Sequence, residues 1–218
     1  MSNYLFFKKK IKPFNKTISI SGDKSLSIRW VLFSSLANGV STAKNLLLSE
    51  DVKAALKAIK GLGIKYKQQN GLYKIFGKGL NGYNTKKKIT INAFNSGTLG
   101  RLIMGLLIDA EKEIKIIGDK SLSKRDFKRI SDPLSKFGSS FNLKNKKNLP
   151  LIIKGSKILK PINYNETRGS AQCKSAVIFA GLKTNGITKI KAKKSRNHTE
   201  LLCKHLKLPV KVTEKNNL

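Results

Sequence analysis

Gly22-Asp23-Lys24-Ser25-Leu26-Ser27 recurs as Gly118-Asp119-Lys120-Ser121-Leu122-Ser123, and an arginine follows each copy, at Arg29 and Arg125. A second echo joins Asn38-Gly39-Val40-Ser41 to Asn185-Gly186-Ile187-Thr188. Each follows an apolar stretch rich in small residues and reads as a helix stop that feeds a strand. A third echo is a helix candidate over 49–62, 126–137 and 195–206, closed by Gly63, Gly138 and Pro209. Internal similarity of this kind points to one supersecondary unit used several times.

Between the echoes the pattern is legible. Ser49 is a plausible N-cap with Glu50 and Asp51 in the first turn, and Val52, Leu56, Ile59 and Leu62 recur at helical spacing. Lys53, Lys57 and Lys60 fall largely on the complementary face, as a surface helix requires. Ile89-Thr90-Ile91, the stretch 114–117 and Leu151-Ile152-Ile153 read as short strands, and glycines 71, 77, 79 and 82 surround a hairpin-like segment over 72–76. The order is strand, helix, strand, helix and two short strands, used nearly three times with the third copy incomplete. Amphipathic helices must cover sheet faces, so layered α/β packing follows. No Pro/Gly/Ser-rich linker divides the middle of the chain. We expect one large domain over 20–209, a leading segment over 1–19 whose Phe14, Ile18 and Ile20 join a sheet elsewhere, and a polar tail over 210–218.

The 218 residues carry 45 Lys and Arg against 12 Asp and Glu, a formal net charge of +33. That balance fits a nucleic acid, a membrane surface or an anionic metabolite as partner. Only positions 29, 101, 125, 129, 168 and 196 are arginines, and the lysines are spread along the chain. A dedicated nucleic-acid binder gathers its cations on one element or interleaves them with stacking aromatics. The densest runs, Lys86-Lys87-Lys88, Lys144 with Lys146-Lys147, and Lys191 with Lys193-Lys194, fall beside expected turns and read first as solvated surface. A basic binding or assembly protein, for nucleic acid or an acidic partner, stays as the rival reading. No stretch approaches the roughly 20 apolar residues of a membrane helix, and the start shows no secretory pattern, so the expected location is the cytoplasm. Cys173 and Cys203 lack metal-site or redox spacing and read as buried thiols.

Candidate chemistry gathers at helix starts. Ser21-Gly22-Asp23-Lys24-Ser25 precedes a helix over 26–37, so its amides and Lys24 can converge on an anion, with Arg29 one helical turn beyond Ser25. An ordinary turn and N-cap accounts for the same residues. Asn95-Ser96-Gly97-Thr98 precedes an apolar helix over 99–108 and offers a second set of amides with Arg101 as first-turn cation; a capping motif fits equally. Ser170-Ala171-Gln172 opens a third helix. Repeats about a pseudo-threefold axis would aim these three starts at one centre. His198 and His205, seven apart on one helix candidate, have no partner at metal-ligand spacing and read as structural or surface residues. No metal site, G-x-S-x-G elbow, phosphate loop or dinucleotide fingerprint is present.

Taken together, Ser21-Gly22-Asp23-Lys24-Ser25-Leu26-Ser27-Ile28-Arg29, Asn95-Ser96-Gly97-Thr98-Leu99-Gly100-Arg101, the stretch 118–125, Leu149-Pro150 and Ser170-Ala171-Gln172-Cys173-Lys174-Ser175-Ala176 resemble the 3-phosphoshikimate 1-carboxyvinyltransferase (EPSP synthase) family, in family order across nearly the whole chain. The related family acting on UDP-N-acetylglucosamine has Lys-Asn where Lys24-Ser25 stands.

The resemblance implies two domains in a complete enzyme, each an inside-out α/β barrel of three βαβαββ units. This chain would correspond to the amino-terminal half, its leading segment joining the other domain. The implied activity is transfer of the enolpyruvyl group of phosphoenolpyruvate to the 5-hydroxyl of shikimate 3-phosphate, in chorismate biosynthesis, with no cofactor. Carried over by motif, Lys24 touches both substrates, Ser25 and Arg29 hold the shikimate ring and carboxylate region, and Ser170, Ala171 and Ser195 surround its phosphate. Gln172 lies beside the reacting groups, binding both substrates, and Gly97 and Arg125 position phosphoenolpyruvate. Lys24, Arg125 and Gln172 are the implied catalytic residues. Ala171 stands where many members have a second serine, and Asp23 where a small residue is frequent; its carboxylate can pair with Lys24, face solvent or cap the helix. The chain alone is expected to be inactive or to need a complementary half.

Overall fold

The computed structural model describes residue 6, residues 8–10 and residues 12–213; parts of the expected leading segment and polar tail lie outside these. The elements run α1 (Lys24–Leu36), β1 (Asn38–Lys44), α2 (Glu50–Gly61), β2 (Lys65–Gln69), β3 (Leu72–Lys78), β4 (Ile89–Asn92), α3 (Gly97–Leu106), β5 (Ile114–Ile117), a 3-10 turn (Leu122–Lys124), α4 (Lys128–Ser135), β6 (Ser140–Lys144), β7 (Asn148–Lys154), β8 (Asn163–Glu166), α5 (Ala171–Leu182), β9 (Lys189–Ala192) and α6 (His198–His205).

The middle stretch displays the whole unit. β4 and β5 pair in parallel across α3, and β7 then pairs antiparallel with both β5 and β6, giving the order β4-β5-β7-β6. A parallel pair needs a crossover, which α3 supplies. The first stretch forms an antiparallel β1-β3-β2 sheet, and the last a parallel pair, β8-β9. The last described elements run β8, α5, β9 and α6.

Three helices make the interior. α1 is buried from Ser27 to Arg29 and Val31 to Leu36, α3 over nearly its whole length, and α5 from Ser175 to Ala180. A helix apolar all round belongs inside. Phe33 of α1 stacks tilted on Phe179 of α5, centroids 4.8 Å apart. Gly105 lets α3 lie directly against the Ala176 carbonyl of α5, where a Cβ would collide with backbone. By contrast α2 buries only one face, through Val52, Ala55, Leu56 and Ile59. Strands β5 and β7 alternate buried and exposed positions, so their apolar sides close over the helices and their polar sides meet solvent. Each large apolar side chain buried this way contributes about 1.5–3 kcal/mol.

The repeated hexapeptide keeps its local shape but not its place. In both copies the aspartate carboxylate accepts the amide three residues on, Leu26 N to Asp23 and Leu122 N to Asp119, each at 2.7 Å. The first copy opens the long helix α1; the second follows β5 and makes a single 3-10 turn, because Arg125 turns extended (φ −76°, ψ 155°). The corresponding helix starts in element order are those of α1, α3 and α5.

Helix boundaries also differ: the helices expected over 26–37 and 99–108 are Lys24–Leu36 and Gly97–Leu106. The helix expected over 126–137 is α4, Lys128–Ser135, with Phe127 at its N-cap and the Asp126 carboxylate just ahead accepting the Arg129 amide at 3.3 Å. The one expected over 195–206 begins at His198. Phe14, Ile18 and Ile20 are 70%, 77% and 74% exposed, and none pairs into a sheet among the described residues.

Candidate anion-binding site

A cavity of about 270 Å³ is lined by Lys24, Ser25, Arg29, Asp51, Asn95, Gly97, Thr98, Arg125, Ala171, Gln172, Arg196 and His198. Its walls are mostly helix starts: the beginnings of α1, α3, α5 and α6 and the residues leading into them, with Asp51 from the first turn of α2 and Arg125 from the end of the 3-10 turn. Each cap has a local cause. Asp23 caps α1, Ser96 Oγ accepts the Leu99 amide at 3.3 Å to cap α3, and Ser170 Oγ accepts the Cys173 amide at 3.3 Å to cap α5. Ahead of α5 the buried Glu166 carboxylate accepts the amides of Arg168 and Ser170, at 3.0 and 2.8 Å, which shapes the approach to Ala171 and Gln172.

The residues expected at the site are mostly brought together: Lys24, Ser25, Arg29, Gly97, Arg125, Ala171 and Gln172 share the cavity. Ser170 and Ser195 do not line it. Ser170 is engaged as a cap, and the Ser195 hydroxyl is buried with no hydrogen-bond partner among the described residues. Asp23 is a helix cap, and Lys24 lies 3.7 Å from Asp51 instead. Arg101 is not a wall residue either. It is 6% exposed, gives one terminal nitrogen to Gln172 Oε1 and the other to the Asp126 carbonyl at 3.3 Å, and lies 5.4 Å over the Phe127 ring. Burial, and then the charges of Arg129 and Arg125, push its guanidinium down to about 10. Gln172 Nε2 donates in turn to Thr98 Oγ1 at 3.2 Å, so the amide orientation is fixed from two sides.

Arg196 and His198 also line the cavity and were not anticipated as wall residues. The signal was present: both sit where α6 begins, a fourth helix start beside the three already suspected. Arg125 is carried on the Asp119-capped turn. The Asp119 carboxyl is held below its ordinary range by the Leu122 amide first and then by the Asn95 side chain, which donates at 2.5 Å.

Four cations, Lys24, Arg29, Arg125 and Arg196, face one carboxylate, Asp51, across this cavity. Helix amino termini add partial positive charge and amide donors. The arrangement suits a small polyanion. No group of three or more His, Cys, Asp or Glu side chains among the described residues is placed to hold a metal ion, and no described helix is long and apolar enough to cross a membrane.

Comparison with known proteins agrees. The family model for EPSP synthase (3-phosphoshikimate 1-carboxyvinyltransferase) matches residues 8–218. A 3-phosphoshikimate 1-carboxyvinyltransferase of Caldicellulosiruptor bescii is 42% identical over 210 residues, 95% of this chain and 48% of that protein. One of Streptococcus mutans is 42% identical over 190 residues, covering 86% and 44% respectively. Among solved structures, an EPSP synthase from Acinetobacter baumannii superposes with a TM-score of 0.83 at 32% identity, over 92% of this chain and 45% of that one. The chain therefore spans about half the length of the relatives it matches. With an α/β fold shared with solved members, an ordered set of motifs and a cationic cavity built where those motifs meet, the chain belongs to the EPSP synthase family and corresponds to its amino-terminal part.

Proposed function

We propose that this chain supplies the amino-terminal half of an enolpyruvyl transferase acting on shikimate 3-phosphate and phosphoenolpyruvate. The observation that carries the reading is the meeting of Lys24, Gly97, Arg125 and Gln172 in one cavity. In this reading the three units, the third incomplete, are disposed about a pseudo-threefold axis as an inside-out α/β barrel. Residues 20–209 form the half-enzyme domain, 1–19 a segment for the complementary half, and 210–218 a polar tail.

The chemistry joins the 5-hydroxyl to C2 of phosphoenolpyruvate and then expels phosphate. The residues present bind and orient. Arg29 and Ser25 hold the carboxylate and ring of shikimate 3-phosphate; Ser170, the Ala171 amide, Ser195 and Arg196 take its phosphate. The Ser195 hydroxyl is buried without a hydrogen-bond partner among the described residues and stands outside the cavity wall, so its part in this reading rests on the family motif. Lys24 bridges the two substrates. Arg125 and the Gly97 region receive the phosphate of phosphoenolpyruvate, and Gln172, its Nε2 facing Thr98, presents N–H donors beside the reacting groups. Preorganised donors of this kind stabilise the charge that develops on oxygen during addition and departure.

Acid and base groups would come from the complementary half. Mixing the chain with the carboxy-terminal half of a relative, adding both substrates and following phosphate release tests the reading. Release that requires both halves and is lost in Lys24→Ala supports it; release unaffected by Lys24→Ala contradicts it.

A further inference from the structure

Arg29 is 3% exposed, yet no carboxylate among the described residues stands within ion-pair distance of it. Its partners are neutral oxygens. Nε donates to Thr199 Oγ1 at 2.7 Å, one terminal nitrogen to Ser175 Oγ at 3.2 Å, and the other to the Ser25 carbonyl at 3.1 Å. The protons of the two hydroxyls can be assigned by elimination. Ser175 Oγ donates to the Ala171 carbonyl at 2.7 Å, so across its 2.7 Å contact with Thr199 it must accept. Thr199 thus accepts from Arg29 and donates to Ser175, forming one directed chain from the guanidinium to the first turn of α5.

The carboxylate beside Thr199 makes no ion pair with Arg29: one oxygen of Glu200 pairs with Lys174 at 2.5 Å, its other oxygen is buried without a hydrogen-bond partner among the described residues, and its charge reaches Arg29 only at longer range. Thr199 and Ser175 are 0% and 1% exposed and are absent from the cavity wall. Three of the five guanidinium N–H groups are spent on protein, which leaves one on each terminal nitrogen, the spacing a carboxylate accepts through two parallel bonds.

We propose that Thr199, acting with Ser175, is a positioning residue that fixes Arg29 with neutral acceptors, so that its charge is kept for an anionic ligand. A carboxylate in place of Thr199 would pair with Arg29 and cancel the charge offered to the cavity; a hydroxyl orients without neutralising. The proposal rests on the reading of the cavity as a shikimate 3-phosphate site, and its test separates the two.

The Arg29 Nε–H signal of the unliganded full chain, observed by NMR, reports the positioning itself, and calorimetric titration with shikimate 3-phosphate reports its consequence. Thr199→Val keeps the shape and removes the acceptor; Thr199→Ser restores the hydroxyl; Ser175→Ala removes the second acceptor without touching α6 and serves if the valine variant folds poorly. The expected result is a slowly exchanging Nε–H in the wild type and in Thr199→Ser that exchanges fast in Thr199→Val. Affinity should be about tenfold weaker in Thr199→Val or Ser175→Ala and within about twofold of wild type in Thr199→Ser. An Nε–H unchanged in Thr199→Val overturns the positioning, whatever the ligand does. Loss of that protection with undiminished affinity overturns its link to binding. A wild-type chain that shows the protected Nε–H but takes up no shikimate 3-phosphate overturns the cavity reading, and the assigned purpose of Arg29 with it.

Discussion

The Lys24 ammonium lies 3.7 Å from the Asp51 carboxylate at the cavity wall, joining the first turns of α1 and α2. Lys24 is 49% exposed and Asp51 23%, so the pair adds little to stability. Its effect is on the ligand: Asp51 is the one carboxylate opposing four cations in the wall. Asp51→Asn should therefore tighten binding of inorganic phosphate several-fold at low ionic strength, with the gain fading as salt rises. Calorimetric titration at two salt concentrations measures this, and equal affinity in both proteins would contradict it.

Gly97 fixes the position of Arg125. A Cβ built on Gly97 would stand 3.0 Å from Arg125 Nη1 and 3.6 Å from Leu122 Cδ1. The guanidinium is the end of a flexible chain and can move aside. Gly97→Ala should leave thermal unfolding nearly unchanged and weaken phosphoenolpyruvate binding about tenfold, corresponding to ~1.4 kcal/mol. Fluorescence or calorimetric titration beside a melting curve separates the two effects.

Gln172→Glu gives a sharper dissociation of stability from binding. Arg101 already holds Gln172 Oε1, so a carboxylate there exchanges a neutral acceptor for a charged one beside a buried guanidinium. Charge-assisted bonds are the stronger. The variant should unfold at the same or a higher temperature and lose at least tenfold in anion affinity, because a negative charge enters the cavity.

Gly105→Ala tests the packing of the central helices. The added methyl meets the Ala176 carbonyl of α5, which is backbone and cannot yield cheaply. Overpacking of this kind costs about 1–3 kcal/mol, readable as a lower denaturant midpoint.

Cys203 supplies a pH test. Burial, then the neighbouring Glu200 charge, pushes its thiol up to about 11 from an ordinary value of 9.0. The folded value lies above the unfolded one, so its contribution to stability is present below pH 9 and is lost as the pH climbs toward about 11. An alkylating reagent at pH 9 should label Cys203 slowly in the folded chain and rapidly in denaturant; equal rates would contradict the burial.

Particular residues show what the sequence made legible. The stripe of Val52, Leu56, Ile59 and Leu62 marked α2 because only one face of that helix is buried, and β5 appeared as a short β-branched run, Ile114, Ile116 and Ile117, around a single lysine. The interior helices were harder to bound. α1 and α5 bury residues on all sides, small and polar ones among them, so periodicity gives no edge, and their starts are set by the caps Asp23 and Ser170. At the site, Lys24, Arg125 and Gln172 were legible because their motifs sit at turn and helix starts. Arg101, expected only as a first-turn cation, faces inward, a direction that sequence spacing does not tell. Arg196 and His198 escaped although Ser195 and Asn197 mark the lead-in, because the helix was expected from 195 and instead begins at His198, with Asn197 making no side-chain cap.

The central claim is that four distant segments make one anion-receptive site. Titrating shikimate 3-phosphate, shikimate, inorganic phosphate and a short single-stranded DNA into the chain by calorimetry tests it most directly. The expected result is one saturable site that prefers shikimate 3-phosphate to the two smaller fragments and weakens at least tenfold in Lys24→Ala. The DNA should bind with a steep salt dependence that Lys24→Ala leaves unchanged. Equal affinity for all four ligands, or binding of shikimate 3-phosphate indifferent to Lys24→Ala, would contradict it.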